Sequence, residues 1–315
     1  MADRVLIADE LKALLPERPL PGFEVVWVSA RDPTPAGDYV AMVPLLSRPI
    51  GAKELDGLPN LRVVAQCAVG YDNIDLQAAA ERGVPVTNTP DVLTESTADL
   101  TWALILAVAR RLKEGQEMLA RESWAGWSPT QLLGLELNGS TLGIVGAGRI
   151  GRAVARRGIG FGMRILYRDV HPQPEMDGPL GAEHRRLPEL LGESDVVTVH
   201  VPSNDETRGM FDARMFSLLK EGCLFINTAR GDLVDEEALV RALDQGPVGG
   251  AGLDVFSREP EVPRELVEHP KVVALPHIGS ATVVTRRAMA ELAVRNAREV
   301  LAGRPPITPV QLEGA

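Results

Sequence analysis

The chain has 315 residues, enough to bury a large core and, at ordinary domain size, to form two domains. Its formal net charge of -10 and pI near 5.1 supply no broad basic field for nucleic acid or anionic lipid, so neither nucleic acid nor a membrane is expected as a partner. The start, Met-Ala-Asp3-Arg4 followed by Glu10 and Lys12, lacks a secretory apolar core, and the most apolar later stretch, 100–108, is too short for a bilayer span and stops at Arg110-Arg111. Cys67 and Cys223 lie far apart, each inside an apolar run, and read as packed thiols in a reducing, cytoplasmic setting, with no metal site expected.

In chain order, the residues 4–8, 24–28, 39–45, 61–65 and 85–88 read as strands, with a polar, alanine-rich helix over 75–81 closed by Gly83. Together these make a small parallel α/β unit. The interval 95–119 reads as one long helix, rich in Ala and Leu and free of Pro. From Leu142 onward strands alternate with helices: strands at 142–145, 164–167, 196–199, 223–227, 250–254 and 272–274, helices after Gly151 and at 187–191, 213–219 and 235–245. That alternation predicts a doubly wound parallel sheet. A last helix over 288–301 can return to the first unit and make it discontinuous.

Between the strand ending at Val145 and the helix that follows lies Gly146-Ala-Gly148-Arg149-Ile150-Gly151. Gly146 permits a tight strand exit, Gly148 lets backbone approach a pyrophosphate, and Gly151 lets the helix sit close to its strand, where its first amides meet phosphate. Asp169, at the end of the next strand, can accept from adenosine ribose hydroxyls and repel a 2′-phosphate, which favours NAD(H). Arg168 and His171 keep NADP(H) open, either as phosphate partners or as solvent-facing residues.

Three later segments gather polar residues near strand ends: Asn227-Thr228-Ala229-Arg230-Gly, Asp254-Val-Phe-Ser-Arg-Glu259-Pro, and Pro276-His277-Ile-Gly279-Ser280. Carboxyl ends of strands converge on the crevice of such a sheet. Reduction of a 2-oxo acid needs a cation for its carboxylate, a proton donor for the forming alkoxide, and a hydride donor. Arg230 suits the first as a bidentate clamp. His277 suits the second, with Glu259 holding its other ring nitrogen and favouring imidazolium.

These motifs in this order resemble the D-isomer-specific 2-hydroxyacid dehydrogenases, especially their glyoxylate/hydroxypyruvate reductase branch. The similarity also runs through Val69-Gly70-Tyr-Asp-Asn-Ile-Asp75, a substrate loop, and Thr89-Pro-Asp-Val-Leu-Thr-Glu95, a crossover segment. It implies two Rossmann-like doubly wound domains, a cofactor domain at 99–287 inserted into a flavodoxin-like substrate domain of 1–98 and 288–315. It further implies Arg230 and the Val69 and Gly70 backbone at the substrate carboxylate, Leu46 at the substrate, and His277 with Glu259 in proton transfer. Asp254 would lie near the nicotinamide carboxamide, Arg149 and Ile150 at the pyrophosphate, and Val201 and Pro202 at the adenine and ribose, with Thr228, Ala229, Arg230, His277 and Gly279 also touching cofactor. A homodimer through the cofactor domains is implied, in which Trp127 looks toward the neighbouring substrate pocket; Trp124 is expected to pack its own segment.

Two stretches depart from the family pattern. Val201-Pro202-Ser203-Asn204 replaces an apolar-plus-threonine version, and Leu46-Ser-Arg48-Pro lacks a frequent acidic residue. Arg48 is left between a hydrogen bond to a substrate tail and a solvent-facing position. The expected activity is reduction of glyoxylate to glycolate and hydroxypyruvate to D-glycerate; the alternatives are another D-2-hydroxyacid dehydrogenase such as a 3-phosphoglycerate dehydrogenase, and a cofactor-sensing interaction protein.

Overall fold

The computed structural model of the protein describes residues 2–311. The chain divides into two compact units, one running to Leu93 and resuming at Ser280, the other Thr94–Gly279. The expected divisions at 98/99 and 287/288 would each cut a helix near its start. Residue 1 of the 1–98 segment and residues 312–315 of the 288–315 segment lie outside the described residues.

The first unit opens with strands β1 (Arg4–Ala8), β2 (Glu24–Val28) and β3 (Tyr39–Val43), helix α1 (Ala52–Asp56), β4 (Val64–Ala65), α2 (Leu76–Glu81) and β5 (Val86–Thr87). The strands are parallel in the order β2-β1-β3-β4-β5, a doubly wound order with its reversal at β1 and β3. Helix α2 begins where Asp75 caps it, the carboxylate accepting the Ala78 N–H at 2.8 Å. The short α1 carries no strong periodicity and was not expected from sequence.

The second unit begins with α3 (Thr94–Ala109) and α4 (Leu112–Ala120). The expected single helix over 95–119 is broken because Arg111 takes a left-handed backbone (φ 52°), its guanidinium held by Glu114, while Lys113 Nζ donates to the carbonyls of Val267, His269 and Val272. There follow β6 (Thr141–Val145), α5 (Arg149–Gly160), β7 (Arg164–Arg168), α6 (Pro174–Asp177), β8 (Glu183–His184), α7 (Leu187–Glu193), β9 (Val196–Val199) and α8 (Ala213–Ser217). The unit ends with β10 (Cys223–Asn227), α9 (Glu236–Gln245), β11 (Val248–Leu253), α10 (Arg264–Glu268) and β12 (Val272–Ala274).

Its seven parallel strands lie in the order β12-β11-β10-β9-β6-β7-β8. The β9 sequence Val-Val-Thr-Val and the β10 sequence Cys-Leu-Phe-Ile-Asn are buried at every position, as a sheet covered on both faces requires. On one face α3 lies over Gly250 and Gly252 of β11 through Val108 and Leu104, and Trp102 stacks on Phe161 at 4.4 Å while its Nε1 donates to Val154 O. On the other face Phe211, Phe216 and Phe225 pack edge-on with Leu190, Leu239 and Leu266. The order in which successive strands are added reverses between β6 and β9, the switch point at which such sheets bind ligands.

The chain then returns to the first unit through α11 (Val283–Leu301), whose Thr282 cap accepts the Thr285 N–H and whose Ala290, Ala293 and Ala297 are fully buried. Among the described residues no helix is long and apolar enough to cross a membrane.

Candidate active site

Carboxyl ends of β6 and β9 meet at the switch point of the second unit. Gly146 has φ +100°, and a Cβ there would stand 2.6 Å from the His200 carbonyl; a Cβ on Gly151 would stand 2.1 Å from Gly146 O. Both positions are closed to any other residue, whereas a Cβ on Gly148 would meet nothing within 4 Å. Backbone therefore lies open at Gly148 and at the start of α5, where Arg149 is exposed and Ile150 half-buried. That cradle fits a dinucleotide pyrophosphate.

Asp169 closes the loop from the β7 side. Its Oδ2 accepts the Ala147 N–H and its Oδ1 the Val170 N–H, each at 2.7 Å. Arg168 is half-buried, donating to Asp169 O and lying 3.4 Å from the His184 ring; His171 is exposed. Below the loop the His200 ring is held at 3.0 Å from Thr198 Oγ1, and burial pushes it down to about 3, which keeps it neutral. Val201 is half-buried and Pro202 exposed. Ser203 donates to Asp232 Oδ2 at 2.6 Å and Asn204 Oδ1 accepts the N–H groups of Glu206 and Thr207. The departure from the family pattern thus ties the loop after β9 to the loop after β10.

The loop after β10 is shaped by Asn227, whose Oδ1 accepts from Ala229 N and whose Nδ2 donates to Arg230 O. Thr228 is buried against α3, its Oγ1 2.9 Å from Thr101 Oγ1. Arg230 is half-buried, with one guanidinium nitrogen on Ala229 O. Glu259 bonds the Phe256 N–H through Oε1 and the His277 ring through Oε2, Nδ1 to Oε2 being 2.8 Å. Burial opposes the Glu259 charge, but the His277 hydrogen bond and charge, the Phe256 N–H and the Arg230 charge outweigh it and hold the carboxyl below the usual carboxylate range. Glu259 and His277 are therefore brought together, and the Arg230 charge acts on the same Glu259 carboxyl.

Sequence reading gave Asp254 a place near the cofactor and missed its local work. His277 has φ 53°, a left-handed backbone that few residues other than glycine adopt. Asp254 imposes it: its carbonyl accepts the His277 N–H at 2.9 Å, and its carboxylate accepts those of Ile278 at 2.8 Å and Gly279 at 2.7 Å. Burial raises the Asp254 carboxyl above its ordinary value, against the pull of these N–H groups and His277. The Asp-to-His interval gave no local signal of this turn.

In the first unit, the Val69 carbonyl accepts from Asn88 Nδ2 and the Gly70 carbonyl from Gln66 Nε2, both loop residues being half-buried. Leu46 is exposed. Arg48 takes neither position considered for it: it is buried, donating to Ser29 O, Asp32 O and Thr34 Oγ1. Trp127 is 83% exposed and Trp124, expected to pack its own segment, 53% exposed. A cavity of about 310 Å³ opens at the amino end of β10, β11 and β12, remote from these groups, and its Lys113 and Lys271 are already bonded to carbonyls. Among the described residues no His, Cys, Asp and Glu cluster could hold a metal ion.

Residues 102–279 match the family described as D-isomer specific 2-hydroxyacid dehydrogenase, NAD binding domain. Glyoxylate reductase of Thermococcus onnurineus (strain NA1) is 49% identical over 280 residues, 88% of this chain and 84% of that protein. The crystal structure of TT0316 protein from Thermus thermophilus superposes with a TM-score of 0.89 at 44% identity, covering 98% of this chain and 100% of that one. The NADPH-dependent glyoxylate/hydroxypyruvate reductase of Sinorhizobium meliloti, solved with NADP and malonate, gives 0.88 at 37% identity, covering 98% and 97%. By the family match over residues 102–279 and the 49% identity to a glyoxylate reductase over 88% of its own length, the chain belongs to the D-isomer specific 2-hydroxyacid dehydrogenase family.

Proposed function

We propose that the protein reduces glyoxylate to glycolate and hydroxypyruvate to D-glycerate, with NADH as the preferred reductant. The observation that carries this reading is the 2.8 Å His277–Glu259 pair beside the charge of Arg230, and relatives named as glyoxylate reductases support it. The second unit is assigned to cofactor and the first to substrate. Gly146, Gly148, Arg149, Ile150 and Gly151 hold the pyrophosphate, and Thr228, Ala229, Asp254 and Gly279 line the nicotinamide end. Val201 and Pro202 line the adenine and ribose.

The bound nicotinamide supplies the hydride that adds to the 2-oxo carbon. Arg230 is assigned to the substrate carboxylate through its planar fork, and the loop bearing Val69 and Gly70 is assigned to substrate as well. Because Nδ1 of His277 faces Glu259, Nε2 is the nitrogen left to give its proton to the forming alkoxide oxygen. Glu259, held ionised, stabilises the imidazolium that donation requires.

Asp169 carries the NADH preference, since its carboxylate stands against the glycine loop where a 2′-phosphate would add charge of the same sign. A homodimer is supported by the exposed Leu112, Leu119, Trp124, Trp127 and Leu133 along α4 and the segment after it, large apolar side chains that a second copy would cover. The two unpaired buried thiols fit a cytoplasmic setting. Steady-state reduction of glyoxylate, hydroxypyruvate, pyruvate and phosphohydroxypyruvate with NADH and NADPH in parallel tests the whole reading. Highest kcat/KM with either of the first two and with NADH is expected. Preference for phosphohydroxypyruvate moves the chain to the 3-phosphoglycerate branch, and tight NADH binding without turnover makes it a cofactor sensor.

A further inference from the structure

One buried amide in the first unit bonds the loop bearing Val69 and, through Asn73, reaches the loop bearing Leu46. Gln66 follows β4 and is fully buried. The β4–β5 register pairs Val64 with Val86 and Ala65 with Thr87, so one step on it sets Gln66 and Asn88 on a common face of the sheet. Asn88 Nδ2 donates to Val69 O at 2.8 Å and Gln66 Nε2 to Gly70 O at 3.3 Å. Two consecutive carbonyls are thereby turned inward. In a planar trans peptide the N–H points opposite to the C=O, so the N–H groups of Gly70 and Tyr71 are turned the other way. Neither has a hydrogen-bond acceptor among the described residues.

Gln66 Nε2 also donates to Asn73 Oδ1 at 2.7 Å, and Asn73 Nδ2 donates to Arg48 O at 2.7 Å and Leu45 O at 3.4 Å. Arg48 carries the chain of bonds on to Ser29 and Asp32. With its Nδ2 committed to carbonyls, Asn73 offers only its oxygen, which fixes the Gln66 amide with its NH₂ toward the loops. Gln66 Oε1 is left buried without a partner, a cost the fold bears to keep that orientation.

We infer that Gln66 is a positioning residue for the substrate carboxylate. Its amide, with that of Asn88, holds the Gly70 and Tyr71 N–H groups as preset donors and locks the loop bearing Leu46 to the loop bearing Val69. This rests on the proposed 2-oxo-acid reductase activity. The test is glyoxylate reduction at saturating NADH by the full-length wild type, Gln66→Met and Gln66→Glu, with NADH binding measured by fluorescence. Gln66→Met removes both donated bonds, and the glyoxylate KM is expected to rise roughly tenfold while kcat stays within about twofold and NADH affinity is unchanged. Gln66→Glu can donate only when protonated, so its KM relative to wild type is expected to climb as pH is raised from about 5.5 to 8. If Gln66→Met does not fold, the Glu series decides. A wild-type KM in the Met variant, a fall in kcat at constant KM, or a pH-independent KM ratio in the Glu variant overturns the inference. An inactive wild type would instead overturn the activity itself, and the inference with it.

Discussion

Asp254 is the residue through which the fold holds the His277 turn, and replacing it isolates that effect. In Asp254→Asn one amide oxygen can still accept from Ile278 or Gly279, while the NH₂ faces the other N–H donor. One charge-assisted bond of 2.7–2.8 Å is lost and a donor is set against a donor. Together these cost about 2–4 kcal/mol, set against a left-handed His277 that is itself strained by about 1–3 kcal/mol. The turn then relaxes and Nδ1 leaves Glu259. At about 1.4 kcal/mol per decade, kcat for glyoxylate falls by about 30- to 700-fold. The ceiling is the loss in His277→Ala, on the order of 10²- to 10⁴-fold. The assay is a double-mutant cycle of single-turnover rates. If Asp254 acts through His277, Asp254→Asn adds almost nothing once His277 is alanine. Losses that multiply in the double variant would refute this account and make Asp254 act on the reaction directly.

Arg230→Lys keeps the charge but loses the planar fork, so kcat/KM for glyoxylate is expected to fall by about tenfold or more, and unchanged kinetics would exclude bidentate binding. Glu259 has its folded carboxyl below the usual value, so it stabilises the fold above about pH 4.5 and loses that contribution as pH falls through the lowered value. Glu259→Gln should therefore narrow the wild-type loss of melting temperature across that acid window, and identical acid profiles would contradict it. Asp254 has the opposite sign: its folded carboxyl is raised, so its contribution declines as pH rises from the ordinary aspartate value through the raised one, and Asp254→Asn should remove that slope from the melting curves. Burial pushes Cys67 and Cys223 up to about 12, so both thiols should resist a thiol reagent at pH 8 in the native protein and react on unfolding. Rapid native labelling would mean that either core opens.

Features written as a local pattern were legible from sequence. The glycine loop, the buried runs of β9 and β10, and the helix starts at Asp75 and Asp235 all express constraints a few residues long, and the strands expected from sequence lie where expected to within about two or three residues, apart from the amino end of β4, whereas the last helix starts at Val283, five residues before its expected start. The Arg, Glu and His set was legible because each member follows a strand end, and a parallel sheet brings those ends together whatever the intervening sequence. What failed was of two kinds. Arg111 and His277 adopt left-handed backbones without being glycine, and nothing in their side chains announces it; the Val267, His269 and Val272 carbonyls that hold Lys113, and Asp254 after β11, fix the geometry from other elements.

Arg48 belongs to the second kind. A charged residue in a short loop reads as solvent-facing or ligand-facing because a buried guanidinium needs acceptors that the local sequence does not show. Here they are carbonyls of Ser29 and Asp32 and the Thr34 hydroxyl, brought close only when β2 lies beside β1 and β1 beside β3. Burial lowers the Arg48 basicity while Glu10 and Asp32 sustain its charge, so the residue stays cationic and braces the loop from beneath. The same physics makes Gln66 and Asn73 illegible: each is an ordinary amide until the sheet forms, and each then has its partners dictated by carbonyls left over at strand ends. Residues that perform chemistry must carry particular groups and so leave a sequence signature, whereas residues that aim them need only a donor at the right distance. That distance exists in the fold alone.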